Sequence, residues 1–247
     1  MAPEPITSIR GIGPRRAQAL GSLGLFSLDD LVRFAPRDYL DYSKETAISD
    51  LAHGQCAAVR VTLLGPAKQV RVRPGLTMTV ARASNGADRL ELVWYNQPYR
   101  AKSIREGTTV YACGRADRRR GLKLVNAAFY DELPGIVPVY PVAQGVSQKV
   151  VRDAVAAALA ARAGEFAETL PDCIRARYML MPVGEALATL HRPKTFEALA
   201  EAKRRLAFED MLLYSLMISM LRSARKHANG TAFQTAGLRE EYLSKLP

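Results

Sequence analysis

The chain has 247 residues and a formal net charge of +11, with 48% hydrophobic and 24% charged residues. These proportions are typical of a globular protein and exclude a disordered chain, while the length suggests one large domain or two to three small ones. The excess positive charge favours an anionic partner, of which nucleic acid is the commonest; an anionic membrane or a merely solvated basic surface are the alternatives.

No secreted or membrane-spanning segment is predicted. Met1 to Arg10 contains no apolar run, and the most apolar stretch, Met211 to Leu221, is shorter than the roughly 20 residues that span a bilayer. The three cysteines are widely spaced, without the CxxC pairs or nearby histidines of a metal site. We therefore predict a cytoplasmic protein with no metal site and no membrane partner.

Residues 1–46 are predicted to form a helical hairpin segment. Gly11-Ile12-Gly13-Pro14 combines glycines that permit a tight turn with a proline suited to the first position of a helix, as in a helix-hairpin-helix element. The backbone N–H groups of such a turn would hold a phosphate, and the alternative is a purely structural turn. Ser27 is the predicted N-cap of a second short helix, which Pro36 ends.

Residues 47–145 change to short strands separated by glycine and proline. Five strands are predicted, over residues 57–64, 76–81, 90–95, 108–112 and 122–125. That spacing fits a small closed barrel, and the OB-fold is the commonest five-stranded solution, although many other small β folds give the same pattern. We predict an OB-fold domain here.

This strand-rich segment holds most of the charge. Between residues 65 and 125 there are thirteen basic residues and four acidic ones, so +9 of the net +11 lies there. The predicted DNA-binding residues among them are Arg71, Arg73, Arg100, Lys102, Arg115, Arg118, Arg119, Arg120 and Lys123. The stretch from Arg115 to Gly121 is interpreted as a hairpin tip that tracks a phosphate backbone, and the alternative is a solvated turn.

Three aromatic residues gather where one of these strands becomes a loop. The alternating strand that contains Leu92, Trp94 and Tyr95 runs into Asn96 and then Tyr99. Aromatic rings among basic residues suit a protein that holds phosphates and stacks unpaired bases at once. Strand alternation puts Trp94 on the same face as Leu92, which favours burial for Trp94.

Residues 146–247 are predicted to be a helical linker region. Ser147 is the N-cap of a first helix with Gly164 at its end, a second helix covers Val183 to Leu190, and a third runs from about Phe196 to Arg225. The middle of the third helix is apolar on nearly every face and must be covered on more than one side. The predicted fold class is therefore mixed α and β, a five-stranded OB-fold barrel flanked by helical segments.

Several motifs occur in an order that resembles the RecG family of bacterial ATP-dependent DNA helicases. They are Gly11-Ile12-Gly13-Pro14, Arg33-Phe34-Ala35-Pro36-Arg37-Asp38-Tyr39-Leu40-Asp41, Leu92-Val93-Trp94-Tyr95-Asn96-Gln97-Pro98-Tyr99, Val137-Pro138-Val139-Tyr140-Pro141 followed by Gln144-Gly145-Val146-Ser147-Gln148-Lys149, and Leu190-His191-Arg192-Pro193. Arg204 to Asp210 also resembles the linker helix of that family. The resemblance covers essentially the whole chain.

The resemblance implies a wedge domain of OB-fold type that splits the strands of branched DNA, such as stalled replication forks and Holliday junctions, next to two motor domains further along the chain. By position, Tyr95 and Tyr99 are the expected base-stacking residues, and Trp94 and Asn96 of the same motif are also included among the predicted DNA-binding residues. Trp94 either adjoins them or is buried beneath. For all three aromatic residues the alternative is packing within the protein.

The sequence contains no G-x-x-x-x-G-K-[ST] loop to hold ATP. We expect no cofactor and no ATP hydrolysis in this chain, with ATP and Mg implied for the full-length parent alone. The chain stops where the family continues into its first motor domain, and we expect it to be a natural or artificial fragment.

An alternative function is an OB-fold interaction module that binds the acidic tail of the single-strand-binding protein SSB, a partner that the resemblance implies. A hydrolase or nuclease would need clustered carboxylates. Asp29-Asp30, Glu209-Asp210 and Glu240-Glu241 are instead neighbouring pairs whose side chains point different ways on a helix.

Overall fold

A computed structural model describes residues 4–119, 121–226 and 238–245 of the chain. It divides into two compact units, Met1–Arg205 and Leu206–Pro247. The described helices are α1 (Pro14–Gly21), α2 (Leu28–Arg33), α3 (Arg100–Ser103), α4 (Gln148–Ala161), α5 (Asp172–Tyr178), α6 (Val183–His191), α7 (Phe196–Lys226) and α8 (Leu238–Leu243). The described strands are β1 (Asp38–Tyr42), β2 (Cys56–Leu63), β3 (Lys68–Arg73), β4 (Leu76–Ser84), β5 (Arg89–Tyr95), β6 (Thr109–Asp117), β7 (Lys123–Tyr130) and β8 (Gly135–Val139).

The mixed α and β class is confirmed, and the strand count is corrected. The main sheet of the first unit has six strands in the order β2-β6-β7-β5-β4-β3, in which β2 also pairs with β4. The five predicted strands correspond to β2, β4, β5, β6 and β7. The sixth, β3, is exposed at every residue and so carries no pattern of burial. The predicted division into 1–46, 47–145 and 146–247 stays a prediction.

A second sheet pairs β1 with β8 in antiparallel register. Sequence reasoning missed both strands. In β8 the pattern is interrupted by Pro138, since proline has no N–H to donate and is normally confined to sheet edges. Pro138 faces Tyr39 in this register. Because both strands of a two-stranded sheet are edge strands, a proline is tolerated in β8.

A bulge in β7 shapes the middle of the main sheet. Cys113 of β6 faces Ala128 of β7, but Arg115 faces Val125, so Gly114 alone spans two residues of β7. One of those two, Asn126, has a left-handed backbone with φ 52°. A Cβ atom on Gly114 would lie 2.9 Å from the Val125 carbonyl oxygen, and glycine is therefore required opposite the bulge.

The predicted helix starts are confirmed at both serines. Ser27 Oγ accepts a hydrogen bond from Asp30 N (3.2 Å) while the Asp30 carboxylate accepts one from Ser27 N (2.9 Å), which completes a capping box. Ser147 accepts from Val150 N at the start of α4. Pro14 occupies the first position of α1, as predicted.

A buried hydrogen-bonded pair joins three parts of the first unit. The Val32 carbonyl lies 2.7 Å from His191 Nε2, and since a carbonyl only accepts, this nitrogen carries the proton. His191 Nδ1 therefore accepts from the Tyr140 hydroxyl, 2.8 Å away. Burial lowers the pKa of His191 and raises that of Tyr140, so both side chains are neutral.

In the second unit, apolar side chains along α7 are at least half exposed. They are Met211, Leu213, Tyr214, Leu216, Met217, Met220 and Leu221. The predicted helix is confirmed, but the cover expected for its apolar faces is not found among the described residues. Within that part of the chain, none of the helices combines the length and apolar character needed to cross a membrane.

Candidate nucleic-acid interface

The predicted aromatic site lies where β5 ends, on a segment that we call the aromatic loop, Tyr95 to Tyr99. Tyr95 is 42% exposed and Tyr99 is 63% exposed, whereas Trp94 is fully buried. The Trp94 indole N–H donates to the Ala127 carbonyl at 2.8 Å, and its ring packs edge-on against Phe129. Trp94 is therefore a core residue, and its inclusion among the DNA-contacting residues is corrected.

The backbone of the aromatic loop is hydrogen-bonded to both strands of the β3–β4 hairpin. Asn96, with φ 53°, donates its N–H to the Thr77 carbonyl (2.7 Å) and accepts the Thr77 N–H on its side-chain oxygen (3.0 Å). The Thr79 hydroxyl donates to the Gln97 carbonyl (3.1 Å), and the Gln69 amide donates to the Pro98 carbonyl (3.0 Å). Asn96 thus has a structural role, ending β5 and fixing the loop.

The exposed ring of Tyr99 is held from within the loop. Gln97 Oε1 accepts from the Tyr99 hydroxyl (2.9 Å) and from Arg100 Nε (3.3 Å). The Arg100 guanidinium lies 6.0 Å from the centre of the Tyr99 ring and 5.7 Å from that of Trp94. Arg100 therefore makes cation–π contacts with both rings and lies directly beside the aromatic loop.

The β7 bulge provides a further support for the loop. Asn126 Oδ1 lies within hydrogen-bond distance of Tyr95 N (3.4 Å) and of Gln97 Nε2 (3.5 Å). Sequence reasoning missed this residue, as it missed Gln69, Thr79 and Gln97. Each is a polar residue in or beside a strand, and only the register of β3, β4, β5 and β7 brings them to one loop.

An exposed apolar row continues from Tyr95 across the hairpin. Met78 of β4 faces Tyr95 of β5, and Val70 of β3 faces Met78. Directly opposed residues share one face of a sheet, so these three side chains form a row. Val70 is 45% exposed, and Val72, farther along β3, is 52% exposed. The row enlarges the apolar surface on which a base could rest.

Four of the predicted basic residues lie at the same end of the sheet as the aromatic loop. They are Arg71 and Arg73 on β3 and Arg100 and Lys102 on α3. Arg71 faces Thr77, the residue to which Asn96 is hydrogen-bonded. The loop is therefore bordered by cations on both sides.

Of the remaining predicted basic residues, those that the structure describes lie on the β6–β7 hairpin, whose tip is toward the other end of β5. Lys123 faces Glu91, four residues before Tyr95, which is about 13 Å along a strand. Arg115, Arg118 and Arg119 belong to the same β6–β7 hairpin, while Arg120 lies outside the described residues. The sequence thus suggested one basic surface where the structure has two.

The hairpin-tip arginines also contact the protein itself. Arg115 donates to the Gly54 carbonyl and Arg118 to the Ser49 carbonyl, each at 3.2 Å. Lys123 lies 3.9 Å from Glu91, which offsets part of its charge. Their role in binding DNA stays a prediction.

Comparison with known proteins places this architecture in a family. The RecG wedge domain family matches residues 5–161. The ATP-dependent DNA helicase RecG of Thermotoga maritima is 30% identical over 96% of this chain and 32% of its own length, and the RecG of Bacillus subtilis is 30% identical over 97% and 35%. The chain thus spans about a third of the length of these curated relatives.

A solved structure of RecG bound to a three-way DNA junction superimposes on the chain with a TM-score of 0.77 at 28% sequence identity. The match covers all of this chain and 35% of that one. The family expected from the sequence motifs is therefore confirmed: the chain belongs to the RecG wedge domain family.

Proposed function

We propose that this chain binds branched DNA as the wedge part of a RecG-type helicase, and that its aromatic loop separates strands at the junction. The observation that carries the proposal is the pair of exposed rings, Tyr95 and Tyr99, on a loop that polar side chains from β3, β4 and β7 hold in place. A held loop stacks on a base at a smaller cost in conformational entropy than a free one.

The expected interactions recognise structure rather than base sequence. Stacking on an aromatic ring contributes about 1–3 kcal/mol per base and tolerates any base. Cationic side chains such as Arg71, Arg73, Arg100 and Lys102 would contact phosphates, which adds a term that weakens with salt. Unpaired bases are available at a branch point and absent from an intact duplex, so the aromatic loop would favour junctions.

We include in the proposal that the main sheet closes into an OB-type barrel. The pairing of β2 with β4 supports it, because it links a strand at the sheet edge back to an inner strand. The aromatic loop and the β3–β4 hairpin would then stand at one end of the barrel.

We also propose the role of this chain within a longer RecG-type protein. Because RecG helicases are about three times as long as this chain, the motor domains, with ATP and Mg, would lie in the remainder of such a protein. Forks and Holliday junctions in the cytoplasmic nucleoid would be its targets. SSB as a partner stays a prediction.

The test of the loop uses Tyr95→Ala and Tyr99→Ala, with fluorescence anisotropy against a three-way junction and a matched duplex. Each substitution should weaken junction binding about tenfold and duplex binding much less, because stacking contributes about 1–3 kcal/mol. Tyr95→Phe keeps the ring and should bind like the unmodified chain. Tyr214→Ala, at a tyrosine 56% exposed on α7, is the control and should change neither affinity. Equal losses on junction and duplex would contradict the proposed role of the loop.

A further inference from the structure

A deep cleft opens in the first unit between strands β7 and β8 on one side and helices α4 and α6 on the other. It has a volume of about 1010 Å³. Its floor is apolar and includes Ile136, Val155 and Leu159. The proposed contacts of the aromatic loop do not use this cleft, although one of its walls begins at Arg100.

The walls of the cleft are strongly basic. The cationic side chains that line it are Arg100, Lys149, Arg152, Arg192 and Lys194. Among the described lining residues Asp153 is the one acidic side chain, and it pairs with Lys149 at 2.8 Å. The buried His191 and Tyr140 beneath are neutral, so the five cations and one carboxylate leave a charge of +4. A ligand that fits is polyanionic, with apolar groups that reach the floor.

Arg100 connects this cleft to the aromatic loop. Its guanidinium contacts the ring of Tyr99 and the side chain of Gln97, and the same residue lines the mouth of the cleft. A strand with a base stacked on Tyr99 would therefore pass Arg100 as it enters. From there cations continue along the walls to Arg192 and Lys194, at the end of α6.

The volume of the cleft, its charge and its continuity with the aromatic loop together favour one occupant. With a volume of about 1010 Å³, the cleft is about as large as the largest small-molecule sites and too small to enclose a double helix. A single strand has the required properties, because it carries phosphates on one side and exposes bases, which have apolar faces, on the other. An acidic peptide would satisfy the charge, but continuity with the aromatic loop favours DNA.

We propose that this cleft receives the unpaired strand that leaves the junction at the aromatic loop, with its phosphates at Arg152, Arg192 and Lys194 and its bases toward the apolar floor. This inference rests on the proposed function, since it requires a junction at the aromatic loop. It assigns the residues that hold the separated strand after it has been split from its partner.

The test compares a three-way junction without a single-stranded arm with the same junction carrying an arm of about ten thymidines, a typical length for one binding module. The variant is Arg192→Gln combined with Lys194→Gln, both exposed and outside the aromatic loop. The control removes the same charge elsewhere, by Lys44→Gln combined with Arg60→Gln, two exposed residues that do not line the cleft.

The unmodified chain and the control should bind the armed junction about tenfold more tightly than the junction without an arm. The Arg192–Lys194 variant should lose most of this gain and keep its affinity for the junction without an arm. Its salt dependence on the armed junction should also fall, by about 1.4 in the logarithmic slope for two lost contacts to a single strand.

Two results would overturn the inference while leaving the proposed function intact. One is a full gain from the arm in the Arg192–Lys194 variant. The other has two parts: the arm gives the unmodified chain no gain in affinity, and the unmodified chain binds a glutamate-rich peptide tightly while the Arg192–Lys194 variant does not. That result would make the cleft a peptide site. Failure of the proposed function has a different signature, namely equal affinity of the unmodified chain for the junction without an arm and for duplex.

Discussion

Trp94 and Tyr95 are neighbours in the chain and have opposite roles. The Trp94 ring lies in the hydrophobic core of the main sheet and its N–H is satisfied by the Ala127 carbonyl, while the Tyr95 ring is partly exposed. Buried Trp94 anchors the end of β5 together with the hydrogen bonds between Asn96 and Thr77, and so helps to position Tyr95. A substitution at Trp94 would therefore act on DNA binding through the fold, since a Trp→Ala change in a core costs about 3–5 kcal/mol.

At the residue scale, His191 makes the first unit sensitive to acid. Its pKa is lowered from the ordinary value of 6.5, mainly by burial, and the neutral ring accepts the Tyr140 hydroxyl. The unfolded chain therefore binds a proton more readily than the folded one. The contribution of His191 to stability is complete above about pH 6.5 and is lost as the pH falls below that value.

The measurement is the free energy of unfolding in urea at about pH 7.5 and about pH 5.5. The unmodified chain should lose stability over this interval. His191→Gln keeps a donor for Val32 and an acceptor for Tyr140 but has no titrating ring, so it should lose less. His53→Gln removes an exposed imidazole and serves as the control. The same loss in the His191 and His53 variants would exclude His191 as the acid-sensitive group.

Sequence reasoning predicted from alternation along β5 that Trp94 is buried, as the structure confirms, and from the family resemblance that Tyr95 and Tyr99 stack on bases, which stays a prediction. It could not identify what holds them. Gln69 and Asn126 lie 29 or more positions from the residues of the loop that they contact, and neither belongs to a recognisable motif. Such contacts depend on strand register, which local sequence patterns leave undetermined.

The β7 bulge places the Asn126 side chain against the aromatic loop. Gly114 leaves room for the bulge, and the bulge turns Asn126 toward the aromatic loop. Bulges often re-aim a side chain next to a functional site. The β6–β7 pair therefore supports the aromatic loop through Asn126.

Two substitutions test separately the space that Gly114 leaves for the β7 bulge and the contacts that Asn126 makes with the aromatic loop. Gly114→Ala should lower the free energy of unfolding by about 2 kcal/mol, because the new methyl group meets the backbone of β7, and should also weaken junction binding. Asn126→Gly should leave stability nearly unchanged, because glycine adopts a φ of 52° readily, but should weaken junction binding about threefold through a looser loop.

The matched control is Gly13→Ala, since a Cβ atom at Gly13 would meet nothing within 4 Å and its φ is ordinary. Chemical denaturation and anisotropy on the same preparations give both quantities. Unchanged junction affinity in Asn126→Gly would show that the loop keeps its geometry without the bulge.

The elements that sequence reasoning missed lack a local sequence signal, each for its own reason. Strand β3 is fully exposed, so it shows no alternation of burial, and β8 carries a proline. Helix α3 has four residues and no buried side chain. In contrast, the helices that begin at Ser27 and Ser147 were predicted because their caps are local features of the chain.

The positive charge of the described residues includes three groups: one around the aromatic loop, one on the β6–β7 hairpin and one along the cleft beside α4 and α6. The group around the aromatic loop includes Arg71 and Arg100, and the β6–β7 group includes Arg118, with a separation of about 13 Å along the strand between Tyr95 and the residue facing Lys123. Under the proposed function, such a distribution would attract any DNA, whereas the aromatic rings would act at unpaired bases alone. Affinity and selectivity should therefore respond differently to salt.

The most direct measurement is an anisotropy titration of the chain against a three-way junction and a duplex of the same length, at about 50 mM and about 200 mM salt. The proposed function predicts tighter binding to the junction at both salt concentrations, because stacking is retained when phosphate contacts are screened. Equal affinities that fall together with salt would contradict it, and would mean that this chain supplies a basic surface without branch recognition.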